Sequence, residues 1–399
     1  MKIKDLKFNR MEFAGSIGDM GVMLPIATGL IAINGLNPVI VFGLVGIVYI
    51  SSGIYYKIPM PVQPLKAVGA IAISMGLSAS VISASGIVMG IFLLILSTCG
   101  LINKLTKLFS KPIIRGIQFG VGLIFVKSAL TFIFTPFIKI YETNELIINN
   151  DIILNIIAIT GGTLIILIYF WKRKFPASII IIIYGIIISL QFNDMGTDFI
   201  HGNSPSLAGF TIPTLLDFKD ALFLLVIPQI PLTLGNAVVA TKDLSYKYFM
   251  NDASRVSEKS LSTGLGIANL FIGFLAGMPV CHGSGGMTAH YIFGARTGGA
   301  TIMIGSLYLL LGILFLFGFI NSDIFKLIPS AILGIMIFYI GVLHASLIND
   351  LIDNKFEFLL AISIGLIGFL TSNLVISFIV GILIWYIVKY IKIYKNTKI

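Results

Sequence analysis

The sequence predicts an all-α polytopic membrane protein whose two halves sit in the bilayer in opposite orientations. Three observations lead to this fold class. Hydrophobic residues make up 57% of the 399 positions, charged residues make up 11%, and the mean hydropathy is +1.01, beyond the apolar share of a soluble domain. Apolar stretches long enough to cross a bilayer follow one another along the chain. The tripeptide Met-Pro-Val interrupts two of them, at 60–62 and at 278–280.

The apolar runs, set against the loops between them, predict about fourteen crossings, since a crossing helix needs roughly 20 apolar residues. The predicted crossings are 13–33, 38–56, 58–78, 81–100, 113–136, 151–170, 176–192, 220–240, 262–277, 278–294, 300–320, 328–348, 356–371 and 373–390.

The basic residues orient these crossings. With a cytosolic amino terminus and no signal peptide, fourteen crossings place every basic cluster in the cytosol and the acidic-to-neutral segments 141–151 and 191–210 outside. The clusters are Lys2, Lys4, Lys7 and Arg10; Lys104, Lys107, Lys111 and Arg115; Lys172, Arg173 and Lys174; Lys242, Lys247, Arg255 and Lys259; and Lys389, Lys392, Lys395 and Lys398. Both termini are therefore expected in the cytosol of a multi-pass cell-membrane protein. Because the net charge of +10 is spread over successive loops, it does not indicate nucleic-acid binding.

The two Met-Pro-Val breaks occupy equivalent places in the two halves. They fall in crossings three and ten, the third of each set of seven. Since seven is odd, a first repeat at 1–219 and a second at 220–399 must have inverted topology, an architecture that points paired broken helices at a midplane substrate site. The two cysteines, Cys99 and Cys281, fall in spans or breaks and are interpreted as packing residues rather than a disulfide.

Proline sets the local geometry of the breaks. Pro59, Pro61 and Pro64 predict extended backbone over 58–63, with Pro64 as the first residue of a short helix. Pro279 and the flexible residues after it predict a second short helix over 286–293. Helix starts carry unpaired N–H groups and a partial positive charge, so two converging starts favour an anion.

The polar residues around these helix starts are mostly hydrogen-bond donors. No carboxylate lies in the interior of crossings three, eight or ten, so neither a metal nor an organic cation is expected there, and an oxyanion fits better. The polar set is Gln63, Lys66, Gln229, Thr233, Asn236, His282, Ser284, Thr288 and His290.

Charged residues inside the membrane are costly and are functional candidates. Lys66 either contacts the anion or sets the field at the site, for instance by neutralising Asp19. Lys127 has no helix break beside it and is not expected to bind ligand. Asp19 is either a helix cap or a proton-coupling site. His282 and His290 are each either ligand contacts or buried polar partners.

Two other functions are weighed against transport. The stretch "CHGSGG" places Ser284 near His282, but it lacks the glycine-x-serine-glycine pattern, and so close a histidine cannot readily turn back onto the serine as base. No enzymatic activity is therefore expected. Channel function remains an alternative, although inverted repeats with two broken helices are typical of alternating access.

Four ordered motifs resemble a known family. "GSIGDMGVMLP", "PMPVQPLKAVGAIAI", "LGNAVVATKDL" and "GMPVCHGSGGMTAHYIFGARTGGA" are similar to the molybdate transporter family, a branch related to the sulfate permeases. The resemblance implies a seven-plus-seven inverted repeat with a core domain that carries the site and a gate domain against which it moves. It also implies a tetrahedral oxyanion between the two helix starts.

The resemblance further implies which residues bind the substrate. Carried over by position, they are Gln63, Pro64, Lys66, Gln229, Asn236, His282, Gly283, Ser284 and Gly285. No C-terminal STAS domain of the sulfate-permease type is expected, which favours the molybdate branch. The glutamates with which related nucleobase permeases bind the base are missing, so nucleobase transport is disfavoured.

The sequence leaves several properties open. The resemblance implies a secondary active transporter with molybdate as its substrate and sulfate as the alternative, but molybdate, sulfate and tungstate are all tetrahedral dianions that the sequence does not separate. The coupling ion is a proton or sodium, and a homodimer is neither required nor excluded. No cofactor and no metal is expected.

Overall fold

The computed structural model describes residues 6–102, 110–143, 150–172, 177–192, 212–321, 324, 328–371 and 373–396. The predicted outside segments 141–151 and 191–210 lie mostly beyond these residues, as do parts of the basic clusters. The elements of the first half are α1 Arg10–Ile17, α2 Met20–Ala32, α3 Pro38–Tyr56, β1 Gln63–Pro64, α4 Lys66–Met75, α5 Ala79–Thr98, α6 Lys111–Thr143, α7 Asn150–Lys172 and α8 Ala177–Phe192.

The second half follows the same plan. Its elements are α9 Leu215–Ala253, α10 Glu258–Phe274, β2 Val280–Cys281, α11 Ser284–Ile292, α12 Gly298–Leu316, α13 Ser330–Ala345, α14 Lys355–Leu370 and α15 Leu374–Asn396. Each predicted crossing overlaps a helix, two helices separated by a short break, or a strand followed by a helix.

The number of membrane crossings is only partly supported. Among the described residues, seven helices are long and apolar enough to cross a membrane, and α1 and α2, bent by 46° at their junction, together would make an eighth. The other segments are short or interrupted: α10 has 17 residues, α14 has 16, and α4 has 10. The count of fourteen is therefore not confirmed and stays a prediction.

Both breaks are short antiparallel strands that pair with each other. Gln63 lies opposite Cys281, and Pro64 lies opposite Val280. Lys57, with a left-handed φ of 62°, ends α3 before the first break. The expectation that Pro64 begins a helix is wrong, because Pro64 is part of β1 and α4 begins at Lys66. The reason is tertiary, since β2 supplies a pairing partner that holds this residue extended.

The helix α9 contains two π-helical segments. Its segments Ala221–Val226 and Thr233–Ala240 are π-helical, on either side of a turn that contains Pro228 and Pro231. Proline removes a backbone donor and clashes with the preceding turn, and π-helical turns often occur at functional sites. Here the altered winding lies where Gln229, Thr233 and Asn236 are located.

The helix contacts repeat with a period of seven predicted crossings. In the described residues α3 (crossing two) packs along α12 (crossing eleven), and α5 (crossing four) packs along α10 (crossing nine). Replacing each helix of the first pair by its counterpart in the other half, seven crossings away, gives the second pair. The same replacement relates the pair α6 and α14 to the pair α13 and α7, and the pair α7 and α8 to the pair α14 and α15. The contacts of α6 with α13, and of β1 with β2, join an element to its own counterpart in the other half, so the same replacement leaves each of these pairs unchanged.

Glycines allow the paired helices to approach closely. A Cβ atom at Gly46 of α3 would lie 2.7 Å from the Gly305 carbonyl of α12, and one at Gly90 of α5 would lie 2.9 Å from the Gly266 carbonyl of α10. Small residues at such contacts let backbones meet and gain van der Waals packing, which drives helix association in membranes.

The two cysteines have different environments, and both are unpaired. Cys281 is buried in β2, as a packing residue should be. Cys99 is exposed at the end of α5, so the packing interpretation is wrong for that residue, because the helix ends there and its last side chains leave the helix contact.

We expect Gly46→Ala to destabilise the protein and Gly43→Ala to leave its stability nearly unchanged. Both glycines lie on α3, but a Cβ at Gly46 would lie 2.6 Å from the Leu309 amide, whereas no described atom lies within 4 Å of one at Gly43. Overpacking of this kind costs about 1–3 kcal/mol. Thermal unfolding of the purified variants in one detergent measures the difference. Equal melting temperatures for the two variants would contradict the close contact.

Candidate functional site

The strand pair brings the starts of α4 and α11 together. The Leu65 amide, just before α4, donates to the Pro279 carbonyl at 3.0 Å. On the other side, Asn269 of α10 holds Val280, since its Oδ1 accepts from the Val280 amide at 2.7 Å and its Nδ2 donates to the Val280 carbonyl at 2.8 Å. Extended backbone at membrane depth is tolerated only when its polar groups are satisfied in this way.

A cavity of about 560 Å³ lies beside these two helix starts. Its walls come from α1, α2, α4, α6, α9, α11 and α13. The structure brings six of the residues singled out from the sequence to this cavity: Asp19, Gln63, Lys66, Asn236, Ser284 and Gly285.

Ser284 and Asn236 form one contact in the cavity wall. The Ser284 hydroxyl donates to Asn236 Oδ1, which uses the acceptor atom of the amide. The Asn236 Nδ2 group, a donor of two hydrogens, is the other polar end of this side chain. The contact ties the first residue of α11 to the π-helical segment of α9.

Lys66 is the first residue of α4 and is 8% exposed. Within the described ranges, no carboxylate oxygen forms an ion pair with its ammonium group at 4 Å or less. Its charge therefore adds to the partial positive charge of the helix start at the cavity. Lys127 is exposed on α6 and does not line the cavity.

Asp19 does not act as a helix cap. It precedes α2, but in the described structure its side chain makes no capping hydrogen bond to that helix, so this interpretation is wrong. Instead, Asp19 Oδ2 accepts from the Tyr49 hydroxyl at 2.8 Å, and Oδ1 accepts from Gln63 Nε2. Donors on α3 and β1 take the place of the α2 amides.

Four of the predicted substrate-binding residues do not line this cavity: Pro64, Gln229, His282 and Gly283. Gln229 Oε1 accepts from the Ala67 amide at 2.8 Å and thereby caps the start of α4. His282 Nδ1 lies 2.8 Å from the Pro61 carbonyl, and His282 lines a second cavity of about 660 Å³ together with residues of α3 and α10. Direct substrate contact by these residues stays a prediction.

The sequence interpretation missed cavity residues on α6 and α13. Arg115 and Gln118 line the cavity and contact each other, with Arg115 Nη1 2.8 Å from Gln118 Oε1, and Arg115 also pairs with Asp350. Arg115 was counted only as a cytosolic charge. His344 of α13 also lines the cavity. The available signal was the spacing of Arg115 and Gln118, one helical turn apart in an apolar run.

The described residues contain no group of three or more histidine, cysteine, aspartate or glutamate side chains that could hold a metal ion. The polar groups that line the cavity are instead hydroxyl, amide and cationic groups and the His344 imidazole, together with the single carboxylate of Asp19. Such a set can surround an anion, provided that the charge of Asp19 is compensated.

Comparisons with known proteins identify the family of the chain. A family model described as molybdate transporter of the MFS superfamily matches residues 11–125 and 221–343, more than half of the chain and both breaks. Molybdate transporter 2 of Arabidopsis thaliana is 26% identical, over 95% of this chain and 87% of that protein. Molybdate transporter 1 of Chlamydomonas reinhardtii is 24% identical, over 85% of this chain and 83% of that protein.

Solved structures resemble the fold. The transmembrane domain of a cyanobacterium bicarbonate transporter, BicA, superposes with a TM-score of 0.66 at 16% identity, covering 95% of this chain and 100% of that chain. The murine anion transporter Slc26a9, in its inward-facing state, gives a TM-score of 0.64 at 16% identity and covers 98% of this chain and 70% of that chain. At such identity the likeness concerns the fold alone.

We expect Gly283→Ala to destabilise the site and Gly285→Ala to be tolerated. A Cβ at Gly283 would lie 2.0 Å from Gln63 Oε1, whereas no described atom lies within 4 Å of one at Gly285. Since Gln63 is held by Asp19, it cannot move without breaking that contact, and the collision should cost about 1–3 kcal/mol. Thermal unfolding of both variants measures this. A Gly283→Ala protein as stable as the Gly285→Ala protein would contradict the packing described.

Proposed function

The chain belongs to the molybdate transporter family of the MFS superfamily, and on that basis we propose that it carries a tetrahedral oxyanion, first of all molybdate, across the cell membrane. The proposal names a secondary active transporter that works by alternating access. The molybdate transporters to which the chain is similar support the substrate class. The likeness to transporters of bicarbonate and other anions supports a fold suited to anions.

One observation carries the proposal: two helix starts and a lysine share one cavity. The first residues of α4 and α11, Lys66 and Ser284, both line it. Helix starts present unpaired N–H groups and a partial positive charge, and a lysine ammonium adds a full charge. A dianion that accepts hydrogen bonds on all sides matches this set of groups.

The contacts suggest two groups of residues. Lys66, Asn236, Ser284 and Gly285 are proposed to contact the anion, because they line the cavity with donors or open backbone. The others are proposed to hold the site in shape, because each contacts a residue of the breaks or helix starts. They are Gln63, Pro64, Gln229, His282 and Gly283. Gln63 also lines the cavity, but its amide donates to Asp19.

The proposed movement uses two inverted repeats, 1–219 and 220–399. Helix contacts recur between the corresponding helices seven crossings away, which supports this division. The helices around the strand pair, including α3, α5, α10 and α12, would form the core domain that carries the anion. The bundle of α6, α7, α8, α13, α14 and α15 would form the gate domain, with α6 and α13 lining the far wall of the cavity. Both termini are proposed to lie in the cytosol.

Sulfate is the second candidate substrate. The groups that line the cavity recognise charge and hydrogen-bond acceptors, which molybdate, tungstate and sulfate share. Uptake of labelled molybdate by proteoliposomes, competed with sulfate, tungstate, phosphate and uracil, tests the choice. We expect competition by tungstate and weaker competition by sulfate. Strong competition by uracil with none by the oxyanions would overturn the proposal.

We expect Ser284→Ala to weaken molybdate binding by about 1–3 kcal/mol, because it removes the hydroxyl that donates to Asn236 Oδ1 and so leaves an unpaired acceptor beside a charged ligand. Binding to the purified protein, measured by calorimetry, tests the change. Ser51→Ala is the matched control, since this serine donates only to the Ile47 carbonyl within α3 and does not line this cavity. Equal affinities for the two variants would move the anion elsewhere.

We expect Lys66→Met to weaken molybdate binding by about 1.5–3 kcal/mol, the scale of a hydrogen bond to a charged group. Lys127→Met is its control, because Lys127 is exposed away from the cavity.

Combining Lys66→Met with Asp19→Asn separates the two roles of the lysine. If Lys66 contacts the anion, its loss remains costly when Asp19 is already neutral. If Lys66 acts by neutralising Asp19, the cost of its loss disappears in the Asp19→Asn background, and the double variant shows the coupling. We expect the first result, because no ion pair joins the two side chains among the described residues.

A further inference from the structure

A buried pair of titratable side chains lies beside the cavity and is not used by the proposed anion site. Asp19 is at the junction of α1 and α2, and His290 is on α11. Asp19 Oδ2 and His290 Nε2 are 3.9 Å apart, and both side chains are almost completely buried. This distance is about 1 Å longer than a hydrogen bond.

The other ring nitrogen fixes what His290 can do. Its Nδ1 lies 2.8 Å from the Gly15 carbonyl, and because a carbonyl only accepts, Nδ1 must carry a hydrogen. In the neutral ring Nε2 is then an acceptor, and it has no hydrogen-bond partner among the described residues. A proton would turn Nε2 into a donor that faces the Asp19 carboxylate.

The groups around Asp19 suit a proton better than sodium. One carboxylate oxygen accepts from the Tyr49 hydroxyl and the other from Gln63 Nε2. Hard cations require several oxygen ligands that present lone pairs, whereas these neighbours present hydrogens. Within the described residues, Asp19 also belongs to no cluster of three or more potential metal ligands.

Other titratable groups approach Asp19 from each neighbouring element. They are Tyr49 of α3, Lys66 of α4, Cys281 of β2, His290 of α11 and Tyr308 of α12. Glu12 on α1 is occupied by the backbone amides of Arg296 and Thr297, at 3.2 and 3.3 Å. Among these groups, only His290 has a neutral form whose unpaired nitrogen faces the carboxylate.

We propose that Asp19 and His290 together form the proton site of the transport cycle, so that one proton enters with each oxyanion. This inference rests on the proposed function. The incoming proton binds to the pair, which changes its net charge from minus one to zero whether the proton resides on the ring or on the carboxyl. No other bond forms or breaks.

The position of Asp19 at the cavity explains how proton binding is coupled to anion binding. Asp19 lines the cavity, and the first turn of α11 lies directly on it, since a Cβ at Gly286 would be 2.4 Å from Asp19 Oδ1. A carboxylate there repels a dianion, and the proton removes that repulsion. By linkage, the anion must then raise the affinity for the proton by the same factor.

Proton uptake on binding tests the inference directly. Molybdate is titrated into the purified full chain by calorimetry in buffers of different ionisation enthalpy. We expect the wild type to take up close to one proton per molybdate where the pair is otherwise unprotonated, and its affinity to fall about tenfold per pH unit as the pH rises there. Asp19→Asn and His290→Asn should bind without proton uptake.

His344→Asn is the matched control. His344 is a buried histidine that lines the cavity. Its Nδ1 lies 3.1 Å from the Ile340 carbonyl and its Nε2 has no partner among the described residues, as in His290, but no described carboxylate lies within 4 Å of it. It should keep the proton uptake, whatever its affinity. Loss of uptake in this variant, together with normal uptake in His290→Asn, would overturn the inference.

The wild-type result separates the two proposals. A protein that binds molybdate or a competing oxyanion without taking up a proton contradicts only the proton site. A protein that binds no oxyanion contradicts the proposed function, and the proton site with it. Because this measurement needs no substitution, it does not depend on whether a variant folds.

Discussion

The pairing of β1 with β2 is the constraint on which the rest of the structure depends. Each strand has only two residues, yet each interrupts a helix inside an apolar protein where unpaired backbone groups are expensive. Each break is stable because the other one satisfies it, with Asn269 completing the pattern. The starts of α4 and α11 therefore cannot be placed independently, and a change in one break is transmitted to the other.

The second constraint is that glycines of α11 and the residue before it lie directly against the side chains of Gln63 and Asp19. Gly283 and Gly286 have no room for a side chain because the amide of Gln63 and the carboxylate of Asp19 occupy that space. The buried Asp19 and His290 pair thus lies against the first turns of α11, and Asp19 itself lines the cavity. In the proposed cycle, this short distance lets one proton change the charge felt by the anion without a large rearrangement.

Much of the site could be predicted because its signals are local. Proline-rich breaks, a lysine at a helix start and small residues after Pro279 are visible in short windows of sequence, and they led to Lys66 and Ser284, which line the cavity, while the family resemblance added Asn236. Arg115 and His344 could not be found in this way. They lie on α6 and α13, far along the chain from the breaks, and only the packing of those helices brings them to the cavity.

The sequence by itself determined the helical membrane class, the two interrupted segments and the donor-rich chemistry around them, because hydropathy and proline act over neighbouring residues. Only the tertiary structure decided which groups pair with the polar side chains and with the extended backbone. In the folded chain Pro64 lies in a strand, the Asp19 carboxylate accepts hydrogen bonds from Tyr49 and Gln63, and Gln229 caps α4. Each of these depends on groups distant in sequence, because nearly every buried polar atom is hydrogen-bonded, and only the folded chain brings these partners within reach.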